Sequence, residues 1–144
     1  MADMTEAEIV INAPASEIMD VIADLENYPA WSEGVQKIDV LTSFEDGRPK
    51  TARWTVDAGI IKDVYDLEYT WDGNHSVSWT LIQGGMLKLD DGTYTLDEQG
   101  GETKVSYKLK VDLSIPMLGM MKRKAEKSIV DTALKGLKKR VEGS

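Results

Sequence analysis

Residues 116–144 read PMLGMMKRKAEKSIVDTALKGLKKRVEGS, and this stretch decides the fold. Met117, Met121, Ala125, Ile129, Ala133, Leu137 and Val141 recur at four-residue intervals, with Leu118, Val130 and Leu134 widening the apolar stripe. The spacing predicts one long amphipathic helix, opened by Pro116. At about 1.5 Å per residue such a helix spans about 38 Å, enough to run the length of a small sheet. Ala125 and Ala133 on its apolar side are small, so space is expected beneath it.

Upstream, short alternating segments predict that sheet. Ala52, Trp54, Val56 and Ala58 share one face of a strand; so do Tyr65, Leu67, Tyr69 and Trp71; so do Val77, Trp79 and Leu81. Gly92, Tyr94 and Leu96 follow, then Val105, Tyr107, Leu109, Val111 and Leu113. Val35 to Phe44 has mixed periodicity, which predicts a bulge or an irregular edge. Turns are expected at Glu45 to Pro49, at Asp72-Gly73-Asn74 and at Gly100-Gly101. Before the sheet, Glu6 to Ala13 alternates as a first strand, and Ile18, Met19, Val21, Ile22 and Leu25 predict a helix from Pro14 to Asp24. Glu26 to Pro29 breaks it, leaving Ala30 to Glu33 for one further helical turn. Strands grouped between segregated helices predict an α+β fold, a curved antiparallel sheet covered on one face.

The 144 residues, 42% hydrophobic, fit one domain, 1–144, with a sizeable core. The absence of cysteine excludes disulfides, thiol nucleophiles and thiolate metal sites. No apolar run reaches the roughly 20 residues of a membrane span, and the polar N-terminus does not read as a secretory signal, so a cytoplasmic protein is expected. Residues 116–144 carry a balance of +5, leaving −13 on the other 115 of a chain whose net charge is −8. Overall acidity argues against nucleic acid as a partner. Lys124, Lys127, Lys135 and Lys138 read as the solvated face of the helix, with membrane contact the lesser reading.

Candidate catalytic groups are few. His75, the single histidine, falls in a turn and reads as surface. No set of His and carboxylate residues has metal-ligand spacing, and Asp90-Asp91 reads as part of a turn. Asp63 shares parity with Tyr65 but follows Ile60-Ile61-Lys62, and is expected in a turn, exposed to water. Metals and cofactors are therefore not expected. The inward aromatics form a more informative set, because buried tyrosines need hydroxyl partners, which a hydrated cavity or a ligand supplies. Trp54, Tyr65, Tyr69, Trp79, Tyr107, Met117 and Met121 are the candidate ligand-binding residues, with Tyr69 and Tyr107 as orienting hydroxyls. Met86, Met117, Met120 and Met121 are flexible gap-fillers, and Met117 to Met121 are expected at the rim of an entrance.

Residues 9–35, IVINAPASEIMDVIADLENYPAWSEGV, resemble the opening of START-like domains of the polyketide cyclase/dehydrase superfamily. The shared marks are a strand running into Ala13-Pro14, a helix apolar at Ile18 and Ile22, then Asp24, Tyr28-Pro29 and Trp31. The segments IPMLGMMKRKAE (115–126) and LKGLKKRVEG (134–143) are similar to small uncharacterised actinobacterial members. The resemblance covers essentially the whole chain. It implies a helix-grip fold, with two short helices after the first strand, the sheet wrapped around the C-terminal helix and a hydrophobic cavity between them. Its relatives include polyketide cyclases, lipid carriers and coenzyme-Q-binding proteins. The leading expectation is a non-enzymatic binder or carrier of a small lipid, isoprenoid or polyketide-like molecule. The alternatives are a cyclase or dehydratase using cavity tyrosines and Asp63, and a membrane-delivery or protein-interaction module using the basic helix.

Overall fold

A computed structural model of the chain describes residues 4–57, 62–114 and 119–143. Strand β1 (Thr5–Ile11) leads into helix α1 (Ala15–Ala23) and a 3-10 helix (Leu25–Ala30). Six strands follow: β2 (Val35–Ser43), β3 (Pro49–Asp57), β4 (Lys62–Asp72), β5 (Ser76–Gly84), β6 (Leu87–Gln99) and β7 (Glu102–Leu113). Helix α2 (Gly119–Glu142) comes last. The strands form one antiparallel sheet in the order β1-β7-β6-β5-β4-β3-β2, curved beneath α2. All connections from β2 to β7 are between neighbours, as the predicted turns require.

The 3-10 helix covers Glu26 to Pro29, where the sequence reading places a break between two helical pieces. The fixed φ of proline, near −65°, lies within the 3-10 range, so the tighter helix accommodates it. β2 shows the expected irregularity, with register shifts against β3 at Val35/Lys37 and at Val40/Thr42/Ser43. β6 begins at Leu87, five residues before the predicted start, so that Asp90-Asp91 lie within a strand rather than in a turn.

The four-residue series read along α2 does not stay on one face. Four residues advance a helix by about 40° more than a full turn, so the series winds around the axis. The buried row is Glu126, Val130, Leu134 and Leu137, and it is packed toward β1, β7 and α1. Fully burying each aliphatic member contributes about 1.5–3 kcal/mol. Glu126, 1% exposed, accepts hydrogen bonds from Thr5 Oγ1 and from the Val111 amide, each at 2.8 Å. The described β1–β7 ladder ends at Thr5↔Leu109, so this carboxylate serves the β7 amide two residues farther along. A second row, Ala125, Ile129 and Ala133, is half-buried and faces a cavity.

Candidate ligand-binding site

Between the second row of α2 and the inner face of the sheet lies a cavity of about 370 Å³. Trp54 from β3, Tyr65 and Tyr69 from β4, Trp79 from β5 and Tyr107 from β7 all line it. Strand alternation puts them there, since each shares parity with buried apolar neighbours. Tyr28 from the 3-10 helix and Tyr94 from β6 complete the aromatic wall. Their rings form two groups, linked by the hydrogen bond from Trp54 Nε1 to the Tyr69 hydroxyl; in the first, Tyr28 meets Trp54 edge-on at 5.4 Å, and Trp54 stacks with Tyr65 at 6.2 Å. Trp79, Tyr94 and Tyr107 form a cluster with centroids 4.5–5.6 Å apart.

Methionine contributes less than the sequence reading supposes. Met121 is 49% exposed and does not line the cavity, and Met120 is 81% exposed. Both lie in the first turn of α2, and the 40° drift of the series sets Met121 apart from the cavity row. Met117 lies outside the described residues, as do Leu118, Ala58, Ile60 and Ile61. The cavity meets solvent instead at Glu33, Asp57 and Ser128, which are exposed. At one end α2 approaches the segment after the 3-10 helix so closely that a β-carbon on Gly136 would stand 2.6 Å from the Trp31 carbonyl oxygen.

The main group that sequence reading misses is Asp90. It lines the cavity from β6, is 6% exposed, and accepts a hydrogen bond from Trp79 Nε1 at 3.2 Å. The signal was available, because Asp90 has the parity of Gly92, Tyr94 and Leu96. Gly92 makes the arrangement fit: a β-carbon there would stand 2.2 Å from the Trp79 ring. The β5–β6 ladder ends at this pair, Trp79↔Gly92, and the indole occupies the place of a side chain at 92. Burial raises the Asp90 carboxyl to about 7, with the Trp79 hydrogen bond opposing the shift and neighbouring Asp91 adding to it.

The phenols of Tyr28, Tyr65, Tyr69, Tyr94 and Tyr107 are all pushed above their ordinary range by burial, so they remain protonated donors at neutral pH. Tyr28 donates to the Ile22 carbonyl at 2.6 Å, and Tyr69 accepts from Trp54 Nε1 at 2.9 Å. The Tyr65, Tyr94 and Tyr107 hydroxyls have no hydrogen-bond partner among the described residues. No fully enclosed side-chain polar atom lacks a partner there, so these hydroxyls open onto the cavity.

Asp63 is half-buried in a strand rather than exposed in a turn, and its carboxylate is engaged. It is the second residue of β4, and its carboxylate accepts the amides of Gly85, Met86 and Leu87 at 2.9–3.2 Å, tying down the β5–β6 turn. A β-carbon on Gly85 would stand 2.6 Å from Asp63 Oδ1. His75 is exposed in the β4–β5 turn, as expected. Arg53 and Asp66 pair at 2.8 Å with Gln83 beside them, on the face of β3 and β4 away from the cavity. Among the described residues no group of three His, Asp or Glu side chains could hold a metal ion, and no helix is long and apolar enough to cross a membrane.

Comparison with known proteins identifies the fold's relatives. The family described as polyketide cyclase / dehydrase and lipid transport matches residues 11–138. The chain belongs to this family. Among solved structures, a START superfamily protein from Mycobacterium smegmatis superposes with a TM-score of 0.91 at 24% identity, covering 99% of both chains. A protein from Thermus thermophilus gives 0.81 at 27% identity over 98% of each. The Zhui aromatase/cyclase from a Streptomyces species gives 0.80 at 13% identity, covering 97% of this chain and 93% of that one. No curated protein matches the sequence. This polyketide cyclase/dehydrase domain therefore has the helix-grip architecture of START-like proteins.

Proposed function

We propose that the chain is a cytoplasmic binding or carrier protein for one small hydrophobic ligand, of lipid, isoprenoid or polyketide-like character, enclosed between sheet and α2. The observation that carries this reading is the 370 Å³ cavity walled by aromatic rings and opened onto by three unpartnered tyrosine hydroxyls. Its volume is within the range of small-molecule sites and equals roughly a dozen water molecules at about 30 Å³ each. Affinity would come mainly from burial, about 25 cal/mol per Å² of apolar surface, with the hydroxyls and Asp90 orienting a polar group. Native mass spectrometry after incubation with a metabolite and lipid extract tests it. A discrete added mass, lost on denaturation and absent from an Ala133→Phe variant, is expected. Bare chain mass across extracts of varied composition overturns the reading.

One observation favours a second reading, a cyclase- or dehydratase-type enzyme: Asp90 is a buried carboxyl in the cavity that titrates near neutrality, as a general acid or base must. Asp63, engaged with three backbone amides, does not serve that role. Once a captured ligand is known, conversion by the wild type and retained binding without conversion by Asp90→Asn would support it. Recovery of the ligand unchanged from the wild type would leave the carrier reading.

A further inference from the structure

The charges on the cavity wall are of one sign. Asp90 lies within it, Glu33 and Asp57 stand at the exposed rim, and among the described residues no Lys, Arg or His lines it. Residues 58–61 and 115–118, outside the described part, contain no ionisable side chain. An anionic ligand would meet three acids and no base. Asp90 is more than nine-tenths buried, and only its Oδ1 has a partner, the Trp79 N–H. Its other oxygen has none among the described residues. Because no fully enclosed side-chain polar atom among the described residues lacks a partner, this oxygen opens onto the cavity, where a donor on a ligand can reach it.

The surroundings suit a positive donor. Trp79 donates to the carboxyl and packs with Tyr94 and Tyr107, and Tyr65, Tyr69 and Tyr107 all feel its charge. Aromatic faces attract cations, most strongly where water is excluded. The rim carboxylates and the net charge of −8 raise the local concentration of cations at the mouth. Resting on the cavity-binding reading above, we propose that the ligand is an apolar molecule ending in a protonated aliphatic amine, its ammonium seated between Asp90 and the rings of Trp79 and Tyr107.

The assignment has a pH signature. The groups around Asp90 are Tyr65 and Tyr69 from β4, Trp79 from β5, neighbouring Asp91 on β6, and Tyr107 from β7, with Tyr94 packed against Trp79 and Tyr107. The cavity row of α2 presents uncharged Ala125, Ser128, Ile129, Thr132 and Ala133. The phenols stay protonated, so Asp90 is the group in the cavity that changes charge near neutrality. An ammonium needs the carboxylate, so its affinity falls as pH drops below about 7, roughly tenfold per unit by linkage. A neutral ligand shows no such loss.

Three probes of one shape decide the matter: 2-naphthylmethylamine, 2-naphthylmethanol and 2-naphthoate, titrated into the full chain at about pH 7.5 by calorimetry. The amine is expected to bind at least tenfold more tightly than the alcohol, with naphthoate weakest. Its advantage disappears near pH 5 and in Asp90→Asn, where amine and alcohol are expected to bind alike. The wild-type pH series provides the same contrast without relying on the variant. An alcohol as tight as the amine, or naphthoate tightest, overturns the amine assignment and leaves the cavity reading standing. No binding by any of the three, at either pH, counts against the cavity reading and the amine together.

Discussion

Gly92 and Trp79 face each other across β5 and β6, and the indole occupies the volume in which a β-carbon at position 92 would lie, 2.2 Å from Cζ2 and 2.6 Å from Nε1. Gly92→Ala must therefore displace the ring and break its hydrogen bond to Asp90. Overpacking of this kind costs typically 1–3 kcal/mol. A lowered urea midpoint and an altered near-ultraviolet tryptophan spectrum are expected. An unchanged spectrum would show that the indole does not depend on this glycine.

Asp90 makes stability depend on pH. In an unfolded chain an aspartate titrates near 3.9, whereas folding raises Asp90 to about 7. Between those values the folded state holds a proton that the unfolded chain has released, so this group's contribution falls as pH rises from about 4 to about 7 and is level above that. The full effect is on the order of 4 kcal/mol at most. Asp90→Asn should gain thermal stability relative to the wild type at pH 8, and much less at pH 5. Parallel melting profiles for the two proteins would remove the assignment.

Ala125→Phe and Ala133→Phe project a ring into existing empty space rather than into packed core. Each should reduce ligand affinity more than tenfold while leaving far-ultraviolet dichroism unchanged. Unchanged affinity in both variants, measured with any ligand the wild type binds, would place the ligand elsewhere.

Glu126 joins α2 to β1 and β7 through Thr5 and the Val111 amide. Glu126→Leu keeps an apolar helix face but strands a backbone N–H and a hydroxyl. A loss of about 2–6 kcal/mol is expected, from two unsatisfied groups worth about 1–3 kcal/mol each, read as a fall in the urea midpoint. Glu126→Gln, which retains an acceptor oxygen, should lose less.

Gly136→Ala would bring a β-carbon within 2.6 Å of the Trp31 carbonyl. Since the contact is with backbone, the segment after the 3-10 helix must move off α2. A lower melting temperature and a shifted Trp31 emission, isolated in a variant with the other tryptophans replaced by phenylalanine, would register that movement.

The sheet was legible because strand alternation survives wherever one face is buried, as in Tyr65-Leu67-Tyr69 and in Val105 to Leu113. Five aromatic members of the predicted site follow from that same parity. The errors have equally local causes. An unbroken four-residue series conceals the drift of a real helix, which is why Met121 falls outside the wall and Glu126 lies in the buried row. Acidic character at Asp90-Asp91 looks like a turn until the strand is extended backward in phase from Tyr94. Asp63 could not be placed from sequence because its partners are backbone amides more than twenty residues away, and backbone groups carry no signature in a list of side chains.

Helix α2 keeps two tasks on separate surfaces. The row containing Val130, Leu134 and Leu137 is buried in the core, while Ala125, Ile129 and Ala133 are half-buried and border the cavity. Selection can thus exchange residues on the second row to admit a different guest without repaying each change in lost folding. One scaffold then yields many specificities, and a laboratory seeking a new receptor has five positions, 125, 128, 129, 132 and 133, at which to begin.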